Sequence, residues 1–149
     1  MLQARAAVTV PLPPERAFAR FTEELGDWWP QEYTWSQQAL EEIGIEPREG
    51  GLCFERGPHG FRCDWGRVLR WEPPARVVFA WQISPTRVPQ PDPALASEVD
   101  VRFSATDDGT LVDLVHSGFE RHGEGAEDYA AAMGSPEGWA YILARLTPA

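Results

Sequence analysis

The chain has 149 residues, 43% of them hydrophobic and 24% charged, and a formal net charge of −10. That length suits one domain spanning residues 1–149, with a core large enough to fold without staples. Its acidity, the lack of any lysine and the lack of an arginine cluster argue against nucleic-acid and anionic-membrane partners, which demand basic patches.

Val8 and Val10 alternate with Thr9, which predicts a short first strand. Pro13 and Pro14 then open a helix, where a missing N–H costs nothing. Ala17, Phe18, Phe21 and Leu25 recur at helical spacing and give it a buried face, and Gly26 is expected to end it. Trp28, Trp29, Tyr33 and Trp35 follow in a stretch too broken for a long helix. This is the densest aromatic cluster of the chain. It either caps the core or lines a pocket mouth, where rigid aromatics stack on a ligand.

Ile43 and Ile45 alternate with Gly44 and Glu46 in a second strand, and Arg48-Glu49-Gly50-Gly51 is a turn. Residues 52–56 form the next strand, the turn Gly57 to Gly60 follows, and residues 61–71 lead into the central hairpin of residues 66–81. There two runs rich in valine and aromatics flank Glu72-Pro73-Pro74-Ala75, and two successive prolines cannot continue a sheet ladder. Cys53 and Cys63 lie on either side of a turn, and free thiols are expected rather than a disulfide or a metal site.

Four prolines between Ser84 and Ala96 predict a long irregular loop, a candidate lid. Val99, Val101 and Phe103 alternate cleanly, Asp107 to Thr110 is a hairpin turn, and Val112, Leu114 and His116 form the last strand. These strands form a meander, each pairing with the next. Residues 120–128 are polar and expected to be exposed, with a helix starting near Ala126. Ser135 and Pro136 read as the cap and first position of a C-terminal helix. Its apolar stripe is Trp139, Ile142, Leu143 and Leu146.

No apolar run is long enough to span a membrane, and the N-terminus lacks the features of a signal peptide. The expected compartment is the cytoplasm.

The order of elements, with several motifs in sequence, carries a resemblance. Pro14-Glu15-Arg16-Ala17-Phe18 stand in the first helix, then Arg48 with Gly50-Gly51, and Gly66-Arg67-Val68. Trp71-Glu72-Pro73-Pro74 precede Val77, Phe79 and Trp81, and His116-Ser117-Gly118-Phe119 and Gly138-Trp139 complete the set. The chain resembles the START-like, or SRPBCC, superfamily, and more narrowly the family of the heat-shock-protein-90 ATPase activator C-terminal domain. The resemblance implies an α+β helix-grip fold: a curved antiparallel sheet wrapped around a C-terminal helix, with two short helices near the N-terminus and a cavity between sheet and helix.

That fold hosts binders of hydrophobic molecules, cyclases and co-chaperone domains, so fold alone does not choose a function. The favoured expectation is a small hydrophobic or aromatic ligand held by Trp28, Trp29, Trp35, Trp65, Phe79, Trp81, Phe103, His116 and Trp139. The alternatives are a cyclase- or hydrolase-like enzyme using His116 with Asp64 or Glu55, and a co-chaperone-like interaction module with a filled interior. No cofactor and no metal are expected; a homodimer is possible, and nothing in the sequence supports a chaperone partner.

His59 and His122 read as solvated, whereas alternation turns His116 inward. A histidine there could act as a general acid or base, but a hydrogen-bonded core histidine is the favoured reading. For Asp64 and Glu55, rim or outer-face charges are favoured. If Cys63 and Trp65 face inward, strict alternation carries Arg67 inward with them; the opposite phase would turn Asp64 in.

Overall fold

The computed structural model describes residues 2–148. Strand β1 (Gln3–Val10) is followed by helices α1 (Pro14–Thr22) and α2 (Leu25–Trp28) and by 3-10 turns at Gln31–Tyr33 and Gln37–Ala39. Then come β2 (Glu42–Ile45), β3 (Leu52–Arg56), β4 (Arg62–Glu72), β5 (Arg76–Trp81), β6 (Ser97–Thr106) and β7 (Gly109–Ser117). Helices α3 (Ala126–Met133) and α4 (Trp139–Ala144) close the chain. The seven strands form one sheet in the order β1-β7-β6-β5-β4-β3-β2. All neighbours are antiparallel, so β2 to β7 is an unbroken meander and β1 adds beside β7. The sheet curls around the helices in the expected α+β helix-grip arrangement, with α4 against β1.

The helix α1 buries Ala17, Phe18, Phe21 and Thr22. Phe18 meets Trp71 and Phe103 edge-on, each at 5.1 Å between ring centroids, and Phe21 contacts Trp28 and Phe103. Burying one such phenylalanine contributes about 2–3 kcal/mol. The helix stops at Thr22 rather than at Gly26. The Thr22 hydroxyl donates back to the Phe18 carbonyl at 2.8 Å, and Gly26 instead lies within the short helix α2 beside Ile43.

Strand β4 departs from strict alternation. Cys53 faces Gly66 while Phe54 faces Asp64, so Trp65 and Gly66 form a bulge. A bulge shifts the phase of every residue beyond it. Cys63 and Trp65 are therefore buried, and so is Val68, while Asp64 and Arg67 are both exposed. Gly66 permits this: a Cβ there would sit 2.5 Å from the Ala80 carbonyl oxygen. The expectation that Arg67 would follow Trp65 inward is corrected by this one extra residue.

The C-terminal helix also differs from its expected start. The Ser135 hydroxyl donates to the Ala132 carbonyl at 2.7 Å and so finishes α3 instead of capping α4. The chain then turns through Gly138, where a Cβ would lie 2.2 Å from the Met133 carbonyl oxygen, and α4 begins only at Trp139. Its stripe is as expected: Trp139, Ile142, Leu143 and Leu146 are all buried. The proline-rich loop is not wholly irregular, since Ile83 bridges to Pro89 and a 3-10 turn spans Pro93–Leu95.

Candidate ligand-binding site

A cavity of about 490 Å³ opens between the inner face of β2–β5 and the segment running from α3 into α4. Its volume lies within the range of small-molecule sites. Trp29, Trp35, Trp65 and Trp81 supply aromatic walls, and Ile43, Ile83, Met133 and Ile142 supply aliphatic ones. Its polar lining includes Glu32, Glu55, Glu137 and Arg87.

Trp29 enters this wall because α2 ends one residue earlier and the backbone becomes extended, φ −63° and ψ 136°. Its ring stacks on Trp65 at 5.9 Å with 27° between planes. Trp65 in turn meets Trp81 edge-on at 5.7 Å. Trp35 is brought to the cavity by an indole N–H bond to the Arg87 carbonyl at 2.9 Å, which ties the aromatic stretch to the proline-rich loop. The Arg87 guanidinium lies 4.4 Å from the centroid of the Tyr129 ring. Favourable cation–π attraction of this kind is modest at exposed sites.

The other expected wall residues form the layer behind. Trp28 packs on Phe21 and donates to the Arg20 carbonyl, and Phe103 packs against Phe18 and Phe21. Phe79 stands edge-on to Trp65, and Trp139 lies behind Trp29 and Trp81. Trp28, Phe79, Phe103, His116 and Trp139 do not line the cavity. Of the lining residues not singled out from the sequence, Ile142 belonged to a stripe assigned to the sheet and Arg87 to the candidate lid. Met133 and Glu137 carried no sequence signal.

Glu55, Asp64 and His116 do not converge. Asp64 projects outward and pairs with Arg62 at 2.9 Å, with 44% of each side chain exposed. Glu55 is fully buried on β3 and borders the cavity. Its two carboxylate oxygens accept the backbone N–H groups of Trp35 at 3.1 Å and Ser36 at 2.7 Å. This corrects the rim-charge expectation: the carboxylate holds the turn that carries Trp35.

His116 is a core histidine with both ring nitrogens engaged. The Trp139 indole N–H donates to Nδ1 at 3.0 Å, so Nδ1 must be an acceptor and the neutral ring carries its proton on Nε2. Nε2 lies 2.7 Å from the Ser97 hydroxyl, which in turn lies 2.8 Å from Nε2 of His122. The donor inventory orients the first step: His116 Nε2–H donates to Ser97, whose hydroxyl lies between the two histidine rings. Burial holds the His116 pKa well below its ordinary value, reinforced by His122, and burial also lowers that of His122. His122, expected to be solvated, is half-buried on the 3-10 turn Phe119–His122.

Trp65 carries an unfilled bond. Its Nε1 is buried with no hydrogen-bond partner. Such a group ordinarily costs about 1–3 kcal/mol. Four other indoles have acceptors: Trp28 on Arg20, Trp35 on Arg87, Trp81 on the Tyr129 hydroxyl and Trp139 on His116. Among the described residues, no group of three or more His, Cys, Asp or Glu is placed to hold a metal ion. Nor is any helix among them long and apolar enough to cross a membrane.

Residues 11–149 match the family model described as activator of Hsp90 ATPase homolog 1-like protein. Among solved structures, an anthrahydroquino-gamma-pyrone synthase, solved with a bound compound, is 33% identical. The match covers 99% of this chain and 96% of that one, with a TM-score of 0.68. A protein from Nitrosomonas europaea is 19% identical over 97% of this chain and 91% of that one, with a TM-score of 0.69. The Aha1 dimer from Colwellia psychrerythraea is 17% identical over 99% of this chain and 94% of that one, with a TM-score of 0.65. These last two share the fold. No curated protein matches the chain.

Proposed function

The chain belongs to the activator of Hsp90 ATPase homolog 1-like family, and from that premise we propose that its cavity binds a small aromatic molecule. The observation that carries this reading is the open space of about 490 Å³ walled by four tryptophans. Flat indole faces reward a flat ligand, and the large apolar area of each ring supplies the driving force. A three-ring ligand burying about 300 Å² of apolar surface gains about 7 kcal/mol before the costs of association. An association cost of about 4 kcal/mol would leave about 3 kcal/mol, a dissociation constant of millimolar order. The 33% identical relative is named as a synthase of an anthrahydroquino-gamma-pyrone, which supports a ligand of the same flat, fused-ring kind.

Catalysis is the second reading, favoured by the same relative's being a synthase. Of the three acid–base candidates only Glu55 borders the cavity, so it is the residue we assign to any proton transfer there. An interaction module with a filled interior fits less well, because the interior is open.

The test is tryptophan fluorescence and melting temperature against polycyclic aromatics, fatty acids and sterols. Saturable quenching with a raised midpoint is expected for the aromatics, since a ligand of the native state must stabilise it. Absence of both responses across the aromatic set would overturn the reading and favour a protein partner.

A further inference from the structure

Resting on the cavity-binding reading, we infer that Arg87, at the rim of the cavity, receives an acceptor oxygen of the ligand. The ligand is then an aromatic ring system ending in a conjugated carbonyl, and it enters rings first.

The donors of the lining point to this residue. Trp65 borders the cavity, but its Nε1 is sealed off from it and serves no ligand there. The rim is the exposed or half-buried part of the lining, and its side-chain donors other than Arg87 are spent inside the protein. The Tyr33 hydroxyl donates to the Glu137 carbonyl and the Ser135 hydroxyl to the Ala132 carbonyl, each at 2.7 Å. The Trp35 indole donates to the Arg87 carbonyl. The Arg87 guanidinium is exposed, gives one N–H to the Pro85 carbonyl at 3.1 Å and keeps others. Among the described residues, no carboxylate forms an ion pair with it.

Arg87 is also held in place. Its backbone sits in the left-handed region, φ 66°, which a non-glycine residue adopts where its surroundings impose it. They do so through its N–H bond to the Ser84 carbonyl at 2.8 Å and the Trp35 bond to its own carbonyl at 2.9 Å. Its guanidinium rests 4.4 Å from the centroid of the Tyr129 ring, and the Tyr129 hydroxyl is fixed between the Trp81 indole and the Ile83 carbonyl. A donor already placed loses little further freedom when it binds.

The direction of entry follows from the walls. Trp29, Trp81, Ile83 and Ile142 are buried apolar lining, where a carbonyl would forfeit its hydrogen bonds and a ring would not. A carboxylate gains nothing over a neutral carbonyl. Glu32 and Glu137 stand on the same rim, exposed and screened by solvent, and they offset the one positive charge.

The experiment uses 2-acetylnaphthalene and 2-ethylnaphthalene, which share a ring frame and differ at one carbon, C=O against CH₂. Native protein and Arg87→Met are each titrated into dilute probe, followed by the NMR signals of the probe. The ratio of ketone to hydrocarbon affinity is expected to fall about fivefold in Arg87→Met, through weaker ketone binding alone. An unchanged ratio overturns the inference and leaves the cavity reading intact. Failure of both probes to bind the native protein overturns both readings. A second readout needs no variant: in labelled native protein the acetyl methyl protons should show NOEs to the Arg87 side chain, and the ring protons to Trp29 and Trp81. The opposite pattern, with the acetyl group among the tryptophans, overturns the inference.

Discussion

Trp139 and His116 hold one another inside the sheet, the indole N–H of one meeting Nδ1 of the other at 3.0 Å with neither side chain reaching solvent. The donor cannot be reversed, so His116 accepts on that side in every state in which the bond survives. Replacing His116 with Ala strands the Trp139 N–H and opens a void among Trp81, Phe119 and Trp139. The expected loss is about 3 kcal/mol by urea unfolding. A loss below about 1 kcal/mol would show that the bond and its packing matter little. Ligand affinity should change less than stability, because His116 does not line the cavity.

Acid should destabilise the fold before its carboxylates titrate. Burial lowers the pKa of both His116 and His122 in the folded chain. The unfolded chain therefore takes up protons that the folded one refuses once pH falls below the ordinary histidine value of about 6.5. Their stabilising contribution is full above that pH and declines as the solution is acidified toward the lowered folded values. Melting midpoints measured from pH 8 to 5.5 should be flat, then fall. His122→Gln should shrink the drop and leave the share due to His116. A midpoint that rises on acidification would contradict this coupling.

Glu55 holds the aromatic stretch in place through the N–H groups of Trp35 and Ser36. Hydrogen bonds to a charged group are worth about 1.5–3 kcal/mol each. Glu55→Ala should therefore cost about 3 kcal/mol and release the turn, with protease cleavage inside residues 31–40 far faster than in the native protein. Glu55→Gln, which keeps one acceptor oxygen, should fall between. Unchanged cleavage in Glu55→Ala would show that other contacts hold Trp35.

Neither thiol should react in the native state. Cys53 is fully buried, and burial pushes its pKa up. Burial, helped by Glu55 and Asp64, pushes the Cys63 thiol up to about 11. The thiolate is the reactive form. A thiol reagent at pH 8 should modify fewer than about one in ten native chains in an hour and both cysteines promptly in urea. Rapid native labelling would mean that the strands open locally.

Much of the fold is written in residue spacing. Val99, Val101 and Phe103 alternate and are all buried, and Phe18 and Phe21 share the buried face of α1. The site is written less plainly, because single residues decide it. Trp28 and Trp29 are adjacent and chemically alike, yet one ends a helix in the core and the other turns into the cavity wall. Only the backbone change between them separates their roles. Alternation leaves the facing of Trp65 open and ties Arg67 to it, and the tie breaks at a bulge that leaves no mark in composition. Residues 120–128 looked solvated from their polarity, and the bond from Ser97 that draws in His122 comes from a strand 25 residues away. Contacts of that range are invisible to local pattern.

The stacked and edge-on indoles have an optical consequence. Trp28, Trp29, Trp65, Trp81 and Trp139 form a connected array in which successive ring centroids lie 5.2 to 5.9 Å apart. At such separations the excited states of neighbouring rings mix, and excitation migrates through the group faster than any ring emits. The protein should therefore show a bisignate exciton band in its far-ultraviolet circular dichroism, where the strongest indole transition lies, and strongly depolarised emission. One molecule seated against Trp65 would quench the light of five rings, making the cavity wall its own reporter of occupancy.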